Sequence, residues 1–285
     1  MSLAPSRTGP VCVVTGANRG VGREIARGLA ESGARVILVC RDLDKAIALR
    51  EELVADTENS SLEAVGLDLA DTVAIHQFAE RFRKGHNALH VLVNNAATYS
   101  PTRQVAPSGF ELTWATNVLG PYLLTELLLD LMEQTGNHRW RARIVNVCSK
   151  FDGGLESKDT QFESRRYDGV KAYKASKQAL RMLTWDLDDR LPGTGIVANA
   201  CFPGRVDTPL GRLKDGGLGG FFARKGAIRP VAVGADTPIW LASSPEVEGL
   251  SGALFFERKE VLCAYQNPGA CAALGEFCAK QLDLE

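Results

Sequence analysis

The chain has 285 residues, of which 45% are hydrophobic and 24% charged. Lys plus Arg number 33 and Asp plus Glu 34, a net charge of −1 that lacks the positive surplus of a nucleic-acid groove or polybasic membrane patch. The apolar share supports a sizeable core without metal or disulfide staples, and no block of like charge marks a disordered segment.

Strand-like runs alternate with helical patterns. Val11–Thr15 is a β-branched run ending in glycines, followed by a helix over Gly22–Ser32 that Gly33 stops. Arg35–Val39 reads as a strand, Leu43–Ala55 as a helix and Leu62–Leu67 as a strand. Asp71-Thr72 starts a helix to Lys84, His90–Val93 is a strand, and Phe110–Glu133 is a long helix. Ile144–Val147, Ile196–Ala200 and Ala253–Phe256 are strands, and Val170–Arg190 is a helix. Near-continuous apolar strands are those of a parallel sheet covered on both faces. The alternation predicts a doubly wound α/β parallel sheet with right-handed crossovers, and no linker or repeat divides residues 1–285 into more than a single domain. Two segments interrupt it: a polar stretch over about 150–170, and a glycine-rich one over about 209–230 containing Phe221-Phe222. Both follow strands, which places them at the mouth of the ligand crevice.

The first strand runs into Thr15-Gly-Ala-Asn-Arg-Gly-Val-Gly22, which opens the first helix. Gly16, Gly20 and Gly22 allow a tight turn and close backbone approach to a pyrophosphate, and the helix N-terminus adds N–H groups and a positive dipole end. At the end of the second strand stands Arg41, where an acidic residue would take the ribose hydroxyls of NAD. Arg41 and Arg19 together suit a 2′-phosphate, which favours NADP(H) over NAD(H), although Asp42 keeps NAD(H) open. No Gly-Lys-Ser/Thr and no Gly-x-Ser-x-Gly occurs, which speaks against a Walker-type site and a hydrolase elbow.

Tyr173 and Lys177 are four residues apart on a predicted helix and so share one face. A free tyrosine has a pKa near 10. Lowering it by about three units takes roughly 4 kcal/mol, the order that one close cation in a partly desolvated site supplies.

With these residues in view, the chain resembles the short-chain dehydrogenase/reductase family, standard type, retinol-dehydrogenase-like subgroup. Thr15, Gly16, Gly20 and Gly22 match its cofactor motif, with Asn18, Arg19 and Val21 between them. Asp68-Leu69 match the adenine-contacting position, Asn94-Asn95-Ala96-Ala97 the fourth-strand motif, and Asn117 a helix asparagine. Ser149 matches the catalytic serine, Tyr173-Lys-Ala-Ser-Lys177 the Tyr-x-x-x-Lys motif, and Pro203-Gly204-Arg-Val206-Asp-Thr208 the segment that clasps the nicotinamide. The resemblance implies a Rossmann-type fold and a carbonyl reductase type of oxidoreductase. Tyr173 would exchange the proton with the carbonyl oxygen, and Lys177 would tune it and hold the nicotinamide ribose. Ser149 would hold the substrate oxygen, and Asn117 a water that relays protons from Lys177.

The interval from Ser149 to Tyr173 is 24 residues, longer than in many members. That insert and the tail through Glu285 are similar to retinol-dehydrogenase-like members, which often act on lipophilic alcohols and carbonyls. Cys148 stands where a second serine is common. Phe151, Phe162, Phe221, Phe222 and Tyr265 are expected to line an apolar pocket, with Lys158 and Arg165 at its rim. The substrate is then a lipophilic or aromatic small molecule. A second reading is a non-catalytic, NADP(H)-sensing regulator on the same fold; a third is an epimerase-type relative, whose glycines are spaced differently.

Seven cysteines without a Cys-x-x-Cys pair read as reduced thiols, and the four histidines show no metal-ligand spacing. No stretch reaches the roughly 20 apolar residues of a membrane span. A cytoplasmic enzyme is expected, with no nucleic-acid partner; the resemblance implies dimers or tetramers, a homodimer among them, and the sequence leaves the choice open.

Overall fold

The strands β1 (Val11–Thr15), β2 (Arg35–Cys40), β3 (Leu62–Gly66), β4 (Val91–Asn94), β5 (Ala142–Val147), β6 (Ile196–Cys201), β7 (Leu254–Phe256) and β8 (Lys259–Glu260) form one sheet in the order β3-β2-β1-β4-β5-β6-β7-β8. All neighbours run parallel except the last pair, which is antiparallel. The chain winds outward from β1 through β2 to β3, then returns to lay β4 on the other side of β1. This computed structural model describes residues 9–136, 140–207 and 228–284.

The two-residue period of the strands divides the core. Cys12, Val14, Val36 and Leu38 face helices α1 (Gly20–Glu31) and α2 (Leu43–Thr57); Val11, Val13, Ile37 and Val39 face α3 (Thr72–Gly85) and α5 (Gly120–Thr135). Asp42 and Asp71 cap α2 and α3, each side chain accepting a backbone N–H three residues on. The predicted helix over Phe110–Glu133 runs without a gap from Leu112 to Thr135 but changes its hydrogen-bond pattern on the way. A short α4 (Leu112–Trp114) is capped by the buried Glu111 carboxylate, a π turn spans Ala115–Leu119, and α5 follows. No propensity signal marks such a turn; it is held by tertiary contacts of Asn117, described below.

The long helix α6 (Gly169–Arg190) is capped by Asp168 and buried on nearly every side. Its outer face is covered by α8 (Pro268–Gln281), which forms a third apolar cluster with Trp114, Leu183 and Trp185. Trp114 Nε1 donates to Gln281 Oε1 at 3.0 Å and the Tyr122 hydroxyl to the Gly275 carbonyl at 3.2 Å, so the tail is stitched to α4 and α5 as well. Neither α8 nor α7 (Val231–Ser243) is among the helices anticipated from the sequence, and the hairpin β7–β8 extends the predicted last strand. Its turn places Glu257 and Arg258 at φ 52 and 58°, and the Arg258 N–H donating to Thr237 Oγ1 at 3.1 Å helps hold it.

Candidate active site

The sheet reverses winding between β1 and β4, and side chains at the carboxyl ends of these strands open onto a cleft of about 340 Å³. Its lining includes Gly16, Asn18, Arg19, Gly20, Val21, Gly22, Arg41, Asp68, Leu69, Asn95 and Ala96. From the other half of the sheet come Ser149, Tyr173, Lys177, Pro203, Gly204 and Val206. Segments from Gly16 to Ile228 thus meet on one surface. Two of the predicted residues sit behind that wall. Thr15 is buried; its hydroxyl donates to the Val93 carbonyl at 3.2 Å and accepts the N–H groups of Asn95 at 3.0 Å and Ala96 at 3.1 Å, locking the ends of β1 and β4 together. Asn117 is fully buried in the π turn. Thr208, Phe221 and Phe222, with most of the 209–230 segment, lie outside the described residues.

The loop after β1 has the properties of an anion cradle. Gly16 and Gly20 adopt φ of +66 and +57°. A Cβ on Gly22 would stand 2.3 Å from the Gly16 carbonyl oxygen and 2.4 Å from Asn95 Nδ2, so the loop closes on itself only with glycine there. The N-terminus of α1 carries no side-chain cap, and its first N–H groups remain available to a phosphate. Arg19 and Arg41 are exposed on the same rim, and among the described residues neither guanidinium has an ion pair or hydrogen bond. Asp42 is committed elsewhere: it caps α2 and pairs with Lys45 Nζ at 2.6 Å. These features fit a dinucleotide whose phosphates lie on the α1 terminus.

At the opposite end, burial pushes the Tyr173 phenol up to about 12, while a hydrogen bond with the Ser149 hydroxyl acts in the other direction. Burial also holds the Lys177 ammonium below its ordinary range, and Lys177 Nζ donates to the Val147 carbonyl at 2.9 Å. The sequence suggests a phenol acidified by its helical neighbour; in this arrangement burial is the largest influence on the phenol, Ser149 is what opposes it, and Lys177 directs an N–H at a carbonyl. Ser149 Oγ accepts the Phe151 N–H at 3.0 Å, which leaves its own proton for the phenol oxygen. Asn117 spends both amide protons on protein, donating to the Thr98 carbonyl at 2.9 Å and Ser176 Oγ at 3.0 Å, and accepts the Thr98 N–H at 2.7 Å. Ser176 donates in turn to the Tyr173 carbonyl at 2.8 Å, so Asn117 braces the helix that carries the tyrosine.

The expected aromatic pocket takes a different form. Phe162 is buried in its own loop against Tyr167, with rings 5.2 Å apart, and the Arg165 guanidinium lies 4.0 Å from its ring centre. Arg165 is held within that loop by Glu156 and Asp159. The Tyr167 hydroxyl donates to Glu111 Oε1 at 2.9 Å, docking the insert onto the start of α4. Phe151 carries Lys174 on its ring at 5.3 Å. None of Phe151, Phe162 and Tyr265 lines the cleft. A loop of this length needs a core of its own, and its aromatics supply it.

Sequence reasoning missed a buried polar chain that runs under the site. Asn94 Nδ2 donates to Thr125 Oγ1 at 3.1 Å and to Asn146 Oδ1 at 2.9 Å, and Asn146 Nδ2 donates to Thr184 Oγ1 at 2.9 Å. The chain links α5, β4, β5 and α6; an asparagine at the carboxyl end of each of two apolar strands was the available signal. Thr98, Thr116, Arg205 and Ile228 also line the cleft without having been singled out. Six of the seven cysteines are buried free thiols, and burial raises that of Cys148 to about 11. Among the described residues no helix is long and apolar enough to cross a membrane, and no group of three or more His, Cys, Asp or Glu side chains is arranged to hold a metal.

Residues 10–215 match the family described as short chain dehydrogenase. Retinol dehydrogenase 12 of Mus musculus is 38% identical over 261 residues, spanning 89% of this chain and 79% of that protein. A crystal structure of an uncharacterized protein from Mycobacterium paratuberculosis is 28% identical with a TM-score of 0.77, covering 99% of this chain and 96% of the other. A gluconate 5-dehydrogenase from Burkholderia cenocepacia, in complex with NADP and tartrate, is 26% identical with a TM-score of 0.67, covering 87% and 93% of the two chains.

Proposed function

The chain belongs to the short-chain dehydrogenase family of oxidoreductases, which interconvert alcohols and carbonyls with a nicotinamide cofactor, and from that premise we propose an NADP(H)-dependent carbonyl reductase acting on a lipophilic or aromatic ketone or aldehyde. The observation that carries this reading is the convergence of Ser149, Tyr173 and Lys177 on a cleft whose far rim holds two guanidinium groups without a partner among the described residues. The cofactor supplies the hydride when bound. Tyr173, with its pKa raised, stays a phenol at neutral pH and is poised to give its proton to the carbonyl oxygen. With substrate present, the single Ser149 proton turns from the phenol to that oxygen and stabilises the charge that develops on it. Lys177 anchors the ribose side of the cleft, and Asn117 keeps the tyrosine helix and the Thr98 loop in register for a water relay.

The cofactor preference rests on Arg41 and Arg19, because Asp42 is occupied as a helix cap. Charge-assisted hydrogen bonds contribute about 1.5–3 kcal/mol each. Arg41→Asp therefore raises the KM for NADPH by about 10- to 100-fold and lowers that for NADH. Steady-state kinetics with both cofactors check it, and an unchanged preference would remove the 2′-phosphate from the reading.

Direction is testable through pH. Reduction needs the phenol and oxidation the phenolate, so a raised Tyr173 pKa leaves reduction flat across neutral pH and makes oxidation climb. Alcohol oxidation is expected to gain about tenfold in kcat/KM per pH unit between about 7 and 9, with carbonyl reduction nearly constant. An oxidation profile that is flat over this interval contradicts it.

The relatives named retinol dehydrogenase support a lipophilic substrate. A cytoplasmic location and a homodimer belong to the same proposal. Because α8 covers the outer face of α6, self-association would use another surface of the sheet or α8 itself.

A further inference from the structure

One charged side chain beside the site has no part in the scheme above. Arg181 lies eight residues after Tyr173 and four after Lys177 on the same face of α6, and it is buried. It does not line the cleft. Helical side chains lean toward the helix N-terminus, so its long stem reaches back past Lys177 to the chain leaving β5. There Nη2 donates to the Ser149 carbonyl, and Nη1 pairs with Asp152 Oδ2 at 2.5 Å. The guanidinium also stacks over Phe202, 5.3 Å from its ring centre, immediately before Pro203-Gly204. Its Nη1 reaches Cys263 Sγ in the tail at 3.8 Å.

Ser149 and Asp152 are the two ends of one tight turn. The bond inside that turn is the Phe151 N–H donated to Ser149 Oγ, the contact that aims the serine proton at Tyr173. At Gly153, φ is +115°, and a Cβ would stand 2.9 Å from the Tyr265 hydroxyl, so the tail closes over the turn from outside. Packing alone does not account for a guanidinium here: an apolar side chain would cover Phe202 without the desolvation that a buried charge requires. The two oxygens it holds do account for it. We propose that Arg181 is a positioning residue whose fork, neutralised by Asp152, clamps both ends of the Ser149–Asp152 turn and so fixes the serine hydroxyl against Tyr173. The inference rests on the oxidoreductase reading for its catalytic consequence, but its structural half does not need turnover.

The test combines Arg181→Met, Arg181→Lys and Ser149→Ala. Arg181→Met is expected to lower kcat by about 10²-fold, as small misplacements of a reacting group do, with the Kd for NADPH unchanged. In the Ser149→Ala background it should cost no more than about twofold further, because the group it positions is gone. Hydrogen exchange at the Phe151 amide, read without substrate, should speed up by about tenfold or more in Arg181→Met. Arg181→Lys keeps the charge but not the fork; it is expected to recover part of kcat and serves if the methionine variant does not fold. Multiplicative losses for Ser149→Ala and Arg181→Met, or unchanged exchange at Phe151, overturn the inference. A wild-type chain that turns over no carbonyl removes the oxidoreductase reading instead, while the exchange measurement still decides whether Arg181 holds the turn.

Discussion

Replacing Tyr173 with phenylalanine is expected to lower carbonyl reduction by about 10²- to 10⁴-fold while leaving NADPH binding nearly intact, the range attributed to a positioned acid–base group. The reason is that no neighbour can stand in for the phenol. Lys177 is below its ordinary range through burial and directs its ammonium at the Val147 carbonyl. The Cys148 thiol beside Ser149 is buried, with its pKa up at about 11, and burial likewise holds the Cys201 thiol well above its ordinary range. The phenyl ring keeps the volume that Tyr173 fills in the wall, so the fold should survive the change. What disappears is a single hydroxyl and the acceptor for the Ser149 proton. Single-turnover oxidation of NADPH separates this from product release, and cofactor fluorescence reports binding. Turnover within tenfold of the parent chain would mean that another group delivers the proton.

That expectation could be written from the sequence, because Tyr173 and Lys177 are placed by helix periodicity and Ser149 by the end of a strand. The cofactor half was legible from context: any strand-to-helix corner favours glycine, but this glycine-rich turn joins the first apolar strand to the first helix, where a dinucleotide fold needs it. What periodicity could not reveal is that burial dominates at Tyr173 while the Lys177 ammonium points at the Val147 carbonyl. Nor does it reveal that α8 covers α6. Cys271, Leu274 and Cys278 lie on one face of α8, but nothing local says which helix that face meets. The aromatics of the insert were read as a pocket because their hydrophobicity was visible and their partners were not; Phe162 finds Tyr167 and Arg165, all within one loop. The π turn at Asn117 has the same origin, its side chain bonded to Thr98 and Ser176 from distant segments. Arg181 is the clearest case. On the sequence it is one more arginine on a helix, and only its two oxygen partners single it out.

Gly22→Val should separate the cofactor cradle from the rest of the fold. The new Cβ would stand 2.3 Å from the Gly16 carbonyl oxygen, which is backbone and cannot rotate aside, and 2.4 Å from Asn95 Nδ2. Asn95 Nδ2 donates to the Thr15 carbonyl at 2.9 Å, so the clash strikes the link between the β1 loop and β4 at the floor of the cleft. Overpacking of this kind costs about 1–3 kcal/mol, and here the strain falls on the turn whose N–H groups face the phosphates. The Kd for NADPH is therefore expected to rise by about 10- to 100-fold or more. Gly33→Ala is the control. Gly33 has a φ of +82° with nothing within 4 Å of its Cβ position, and it lies at the far end of α1. Its replacement strains a left-handed residue by about 1 kcal/mol, lowering Tm without changing NADPH affinity. If both variants lose affinity in proportion to stability, the glycine at 22 serves the fold in general; if only Gly22→Val loses it, the residue serves the turn that meets the cofactor.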